Sequence, residues 1–287
     1  MSAQLQLRNG SPSSTLYLTT ESPLPTSRLK QILATNPTLQ GAGPQRPSLS
    51  RILTLYTPDL ESQDHILRYQ VPVAVERYNV RLMVIDSIAA NFRAELELRR
   101  NDTSKANTAA GVSGLHERTS RLIQVGNLLR GLARTYDICI VVANQVADRF
   151  MLEEAPVQTP FKANAREEPS APRNAQPLLS LEYQQRWFTG WGDLQNAKML
   201  KTPSLGLVWA NQIACRVALT KEPVYDWESH LRYMAEGIER SVDEVHDTRI
   251  AEWKRYFRVA FSHWAPQSRN KGVAYEIATS GIRSIPI

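Results

Sequence analysis

Two apolar patterns alternate along this chain, short unbroken runs and long spaced stripes. The clearest run is Arg81-Leu82-Met83-Val84-Ile85-Asp86, with four apolar residues in succession. Successive side chains of a strand point to opposite faces, so such a run predicts a strand covered on both faces, as in the middle of a parallel sheet. Ile138-Cys139-Ile140-Val141-Val142-Ala143 reads as another fully buried strand, and Thr15-Leu16-Tyr17-Leu18-Thr19 and Ile52-Leu53-Thr54-Leu55-Tyr56 as shorter ones. Between the two strongest runs, Leu115, Leu122, Val125, Leu129, Leu132 and Tyr136 recur at steps of seven, three and four. That spacing draws one stripe along an amphipathic helix. Strand, helix, strand in this order predicts a βαβ unit with a right-handed crossover, and hence an α/β fold.

The rest of the pattern fills in around this unit. Pro25-Thr26-Ser27 opens a helix through Arg28, Leu29, Ile32 and Leu33, with Thr26 or Ser27 expected to cap its free N–H groups. Residues 36–48 read as a Pro/Gly-containing loop, and Asp64 to Tyr78 as a helix kinked at Pro72. Residues 101–114 are polar and predict a mobile segment. From residue 147 to 203 periodicity is lost and Pro, Ala, Asn and charge rise, far beyond an ordinary loop. Order returns at Leu205 to Gln212, where Trp209 is expected to be packed, and leads into Arg216-Val217-Ala218-Leu219. Residues 226–250 form a charged, variable insertion, and two strands, Tyr256 to Ser262 and Val273 to Ile277, close the chain with Gly281 in a turn. The 287 residues are expected to form one domain carrying these two insertions.

Composition sharpens this only a little. A formal charge of +6 points mildly toward nucleic acid. The first half of the long insertion does not add to it, since Arg149, Lys162, Arg166 and Arg173 stand against Glu153, Glu154, Glu167 and Glu168. No apolar run approaches the roughly 18 residues of a membrane span, so no membrane partner is expected. The two cysteines, Cys139 and Cys215, lie in apolar surroundings and are expected to be buried thiols in a reducing compartment.

Candidate chemistry gathers at strand ends. In open α/β sheets ligands bind beyond the carboxyl ends of the strands, and Asp86 is delivered there by its apolar run. A carboxylate at that edge suits Mg²⁺ bound to nucleotide phosphates, or simply caps the next helix. Leu16 to Glu21 ends another strand on a carboxylate able to polarise a water, and Val141 to Gln145 ends a third on a carboxamide able to sense a phosphate. Each is ordinary alone, as a helix-entry or loop residue. Three polar tips on successive strands are less so.

Those tips carry a resemblance. Tyr17-Leu18-Thr19-Thr20-Glu21 followed by Leu24-Pro25-Thr26-Ser27-Arg28-Leu29, Val84-Ile85-Asp86-Ser87-Ile88-Ala89 with Phe92-Arg93-Ala94-Glu95, and Val142-Ala143-Asn144-Gln145-Val146 resemble the RecA/eukaryotic recombinase family. Leu205 to Gln212 with Arg216 is similar to the paralogue (mediator) branch of the fungal DNA-repair type. The resemblance implies a RecA-like P-loop NTPase core with a mostly parallel sheet flanked by helices. It implies ATP and Mg²⁺ as cofactors, Asp86 as the metal carboxylate with Ser87 beside it, Glu21 as the water-activating residue and Gln145 as a phosphate-linked switch. Arg93, Asn144 and Arg216 would face DNA or a neighbouring subunit. Single-stranded or branched DNA, a second paralogue in a heterodimer and the strand-exchange recombinase are the implied partners. DNA-dependent ATP hydrolysis, assistance to recombinase filaments in double-strand-break repair and a nuclear location follow from the same likeness.

One element departs from the family. No Gly-x-x-x-x-Gly-Lys-[Ser/Thr] segment occurs in the sequence, although its amide groups and lysine would cradle the phosphates. Ser2 to Leu7 reads as the tail of the helix that should follow that loop, so the chain is expected to begin inside an element of a longer product. The rival expectations are a non-catalytic scaffold subunit and another RecA-core ATPase such as a helicase.

Overall fold

The computed structural model describes residues 13–41, 47–93, 108–148, 201–225, 250–269 and 271–285. The expected helix tail at Ser2 to Leu7 and nearly all of both insertions lie outside these residues. Two compact units are present, one of residues 1–24 and 48–213 and a second of residues 25–47 and 214–287.

The first unit is built on a parallel sheet of β1 (Ser14–Thr19), β2 (Ile52–Tyr56), β3 (Val80–Asp86) and β4 (Cys139–Val142), in the order β2-β1-β3-β4. β3 is internal, as its unbroken apolar run predicts: Leu82, Met83 and Ile85 are at most 2% exposed. β4 is the edge strand among the described residues, which corrects the expectation of a fully buried strand. Its residues are exposed or half-buried, with β3 its one pairing partner among the described residues; Cys139 is an exposed thiol and Cys215 a half-buried one, neither the buried thiol expected. The apolar run set the strand correctly but not its place in the sheet.

The helix between β3 and β4, α6 (Thr108–Tyr136), starts within the stretch expected to be mobile. Of its predicted stripe, Leu122, Val125, Leu129 and Leu132 are buried and Tyr136 is half-buried against the core, while the Leu115 side chain lies outside the described residues. They join Leu16, Leu18, Met83, Ile85, Ile88 and Phe92 in one core, closed also by Trp209 on the short α7 (Gly206–Ala210). Gly126 lets the turn after α7 approach α6, since a Cβ there would lie 2.7 Å from the Gln212 side chain. The helical stretch before β3 begins at α3 (Leu60–His65), earlier than the apolar spacing suggests, because the Asp59 carboxylate accepts from the Ser62 N–H and caps it. A π-helical turn (Ile66–Gln70) then precedes α4 (Val71–Tyr78), with Pro72 in the first turn of α4, so the expected kink takes the form of a π-bulge.

In the second unit β7 (Cys215–Tyr225), β8 (Ile250–Ser262), β9 (Val273–Ala278) and β10 (Gly281–Ser284) form an antiparallel sheet in the order β10-β9-β8-β7. β8 starts six residues before the strand read from the sequence, and Gly281, at φ +121°, opens a further strand after its turn. Helix α1 (Thr26–Thr35) belongs to this unit. Neither Thr26 nor Ser27 caps it; Pro25 occupies the cap position and no side chain bonds there. The following α2 (Pro37–Gln40) lies inside the expected loop and is capped by Asn36, whose amide also donates to the Ser280 carbonyl. Arg28 of α1 donates to the Ala278 and Thr279 carbonyls.

Candidate functional site

The carboxyl ends of β1, β3 and β4 meet through a clasp centred on Thr20. Its backbone N–H donates to the Asp86 carbonyl at 3.0 Å, and its hydroxyl donates to the Ser87 carbonyl and accepts from the Ser87 N–H, each at 3.0 Å. Thr20 and Ser87 are both buried, so these bonds form away from competing water. The clasp fixes the start of two loops, the one carrying Glu21 and the one following Asp86. The Asp86–Ser87 peptide bond is cis. On the other side, the Ala143 N–H donates to the Ile85 carbonyl and the Ile88 N–H to the Ala143 carbonyl, which ties the tip of β4 to that of β3.

Three of the residues singled out in the sequence form one hydrogen-bonded chain on this platform. The Arg93 guanidinium donates to Gln145 Oε1 at 2.6 Å. Gln145 Nε2 in turn donates to both carboxylate oxygens of Glu21, at 2.9 and 2.8 Å. Each contributor is held from behind. Arg93 ends the described part of α5 (residues 88–93), which is anchored by buried Asn91, whose amide donates to the Thr57 and Asp59 carbonyls and to Gln63 Oε1. Gln145 accepts at its backbone carbonyl from the Ser204 N–H, and the Ser204 carbonyl accepts from Arg118 of α6. Burial lowers the pKa of Arg118. These bonds sit beside a short antiparallel strand pair, β5 (Val146–Asp148) and β6 (Lys201–Pro203), at the two ends of the long insertion.

Asp86 is exposed at the same edge and accepts a 2.6 Å hydrogen bond from the Tyr17 hydroxyl on β1. Burial, then that bond and the charge of Asp86, pushes the Tyr17 phenol up to about 12. Tyr17 is missing from the sequence-derived residues, yet a signal for it exists. In a parallel β1–β3 pair a tyrosine two residues before the strand end projects beside the neighbouring terminal carboxylate, and a half-buried phenol needs a partner. Ser87 Oγ and Asn144 Oδ1, two of the expected ligand-facing atoms, are buried without a hydrogen-bond partner. Arg216 lies on β7 in the second unit, half-buried, with burial pulling its guanidinium down to about 10.

The donor set can be tested against an ATP–Mg²⁺ pair. Asp86 offers one hard oxygen ligand, and no group of three or more His, Cys, Asp or Glu able to hold a metal occurs among the described residues. A single carboxylate suits Mg²⁺, which takes its other ligands from water and phosphate. Two orphaned polar atoms beside Asp86 and Gln145 also fit a site that acquires a polar occupant. No glycine-rich Lys-Ser/Thr loop, whose amides would cradle the phosphates, occurs in this sequence. The described residues match the metal and water side of a nucleotide site.

Comparison with known proteins agrees with this architecture. The family described as Rad51 matches residues 1–164. The DNA repair protein rhp57 of Schizosaccharomyces pombe is 34% identical over 214 residues, covering 72% of this chain and 53% of that protein. The DNA repair protein RAD57 of Saccharomyces cerevisiae is 28% identical over 271 residues, 93% of this chain and 51% of that protein. The DNA repair protein XRCC3 of Mus musculus is 24% identical over 276 residues, 94% of this chain and 59% of that protein. The chain thus spans about half to three-fifths of the length of these relatives.

Proposed function

Because the chain belongs to the Rad51 family, with a RecA-like α/β core, we propose that it serves homologous recombination as a recombinase paralogue in the nucleus. In this reading it binds single-stranded or branched DNA together with a second paralogue and assists the assembly of recombinase filaments at double-strand breaks. The observation that carries it is the convergence of Glu21, Asp86 and Gln145 on one edge of a parallel sheet, with Gln145 bonded to Glu21. Similarity to proteins called DNA repair proteins supports the biological setting.

Asp86 is the residue that would hold Mg²⁺, and bound ATP–Mg²⁺ would supply a polarised phosphoryl group. Tyr17 fixes one Asp86 oxygen, the Thr20 clasp fixes its backbone, and Glu21 can accept a proton from water at its exposed carboxylate. A second reading is a scaffold subunit that works through contacts alone. Titration with a fluorescent Mg–nucleotide separates the two. Saturable binding that Asp86→Asn abolishes supports the nucleotide-linked reading; no binding leaves the scaffold. A labelled single-stranded oligonucleotide tests the DNA contact, which should weaken on Arg93→Ala and with added salt. Binding unaffected by either would remove Arg93 from the DNA-facing set.

A further inference from the structure

The strand registers of the antiparallel sheet sort its charges by face. Successive side chains of a strand alternate, so Lys221 and Arg255, paired across β7 and β8, share one face with the next row, Leu219, Phe257 and Val273. Pro223 pairs with Trp253 on that side, and Ile277 with Ile282. The two cations thus lie between apolar rows. The strand carboxylates Glu222, Glu252 and Glu276 all belong to the opposite face, and each has a cation partner, in Lys271, Lys254 and Arg283 respectively. No such pairing occurs on the first face. Lys221 lies over the Trp253 ring, 4.0 Å from its centroid, and the half-buried Arg255 side chain has no hydrogen bond or ion pair among the described residues. A half-buried guanidinium gains more from an arriving anion than an exposed one does, because less water screens the pair.

We propose that this face is a docking surface for an acidic amphipathic helix of a partner protein. The apolar stripe of that helix lies on the Leu219–Phe257–Val273 row, and its acidic flank meets Lys221 and Arg255. Exposed apolar side chains in adjacent rows form a patch of the kind that binds another protein, and a helix laid on a sheet covers such rows. Charge selects among the possible occupants. A two-fold contact with a second copy of the chain would bury both cations of each copy with no carboxylate on the face to meet them. A nucleic acid would satisfy the cations, but its bases stack on ring faces. The most exposed side chains of this face, Ile282, Leu219 and Ile277, are aliphatic, and Lys221 covers the Trp253 ring. An acidic helix satisfies the aliphatic rows and the cations together. The inference uses none of the roles given above to Glu21, Asp86 and Gln145, so it stands or falls apart from the nucleotide reading.

Fluorescence anisotropy of two labelled synthetic helical peptides tests this on the full chain. Both carry leucine at i, i+3, i+4 and i+7; one is flanked by glutamates and the other by lysines. The glutamate peptide is expected to bind about tenfold tighter, and added salt should narrow the gap. Leu219→Ser should weaken its binding about fivefold with the thermal midpoint little changed. Lys221→Glu combined with Arg255→Glu should turn the preference toward the lysine peptide, which a general loss of structure cannot do. Equal binding of the two peptides, binding of neither, or wild-type binding by Leu219→Ser overturns the proposal. So does sedimentation of the chain as a dimer that Leu219→Ser dissociates, which gives the face to a second copy. Displacement of the glutamate peptide by a short oligothymidylate at lower concentration than by the unlabelled peptide gives it to nucleic acid, and overturns the proposal as well.

Discussion

The two sheets of this protein use similar side chains to different ends. In the parallel sheet Leu16, Leu18, Met83 and Ile85 are at most 1% exposed, because helices and neighbouring strands cover them. In the antiparallel sheet Leu219, Phe257 and Val273 line up across β7, β8 and β9 on one face, and Ile277 pairs with Ile282 on the same side. All five are exposed, Leu219 and Ile282 by 66% and 73%. The opposite face carries the buried Ala218, Arg258 and Ala260. Apolar content therefore predicts a strand in both places, but burial follows from what lies above and below it. A site that needs fixed geometry stands on the covered sheet.

The largest expected contrast is in stability. Leu18→Ala should cost about 2–5 kcal/mol in chemical denaturation, the range for emptying a fully buried leucine site. A loss below about 1 kcal/mol would mean that the first unit collapses around the cavity and is less rigid than its packing implies. Gly272→Ala tests the second unit at its tightest backbone approach. Gly272 has φ +88°, and a Cβ would lie 2.3 Å from the Phe257 carbonyl oxygen. Strain of this kind should cost about 1–3 kcal/mol, read as a shift in thermal midpoint of the β8–β9 signal.

Smaller effects probe the site edge. Tyr17→Phe removes the donor to Asp86 and should destabilise by about 1 kcal/mol or less, since the bond is reached by solvent. The same residue gives a pH signature. Its folded pKa of about 12 lies above the ordinary value of 10.0, so the protonated form is favoured by folding. Its contribution is complete below pH 10 and is lost as pH rises through about 12. Tyrosinate absorbance, differenced against Tyr17→Phe, should show this one phenol titrating late. At the bottom of the scale, Leu219→Ser should change stability by no more than about 0.5 kcal/mol, the usual range for surface substitutions. A loss of several times that would show that the exposed face is covered in solution.

Much of the first unit was legible, and the reasons are particular. Unbroken runs gave β3, and steps of three and four gave the buried stripe of α6, because both patterns depend on local periodicity alone. The place of Glu21, Asp86 and Gln145 after strand ends on one edge of the sheet was legible because the apolar runs stop just before them. The edge position of β4 was not, since pairing partners leave no trace in a single strand's own sequence. Tyr17 and Thr20 escaped notice because their roles arise only when β1 and β3 are placed in register, Thr19 against Asp86. The bond from Arg93 to Gln145 joins residues 52 apart in sequence and depends on the fold as a whole. Asp59 as the cap of α3 was within reach, since Asp59-Leu60-Glu61-Ser62 is an ordinary helix opening.

The edge position of β4 also equips the molecule with a chemical reporter. Cys139 is exposed at the start of that strand, while Cys215, the only other thiol in the sequence, is half-buried on β7. A maleimide or disulfide reagent should therefore mark Cys139 first. Among the described residues β4 pairs on one side only, so slowed alkylation of Cys139 would register a further strand added beside it without any engineered label.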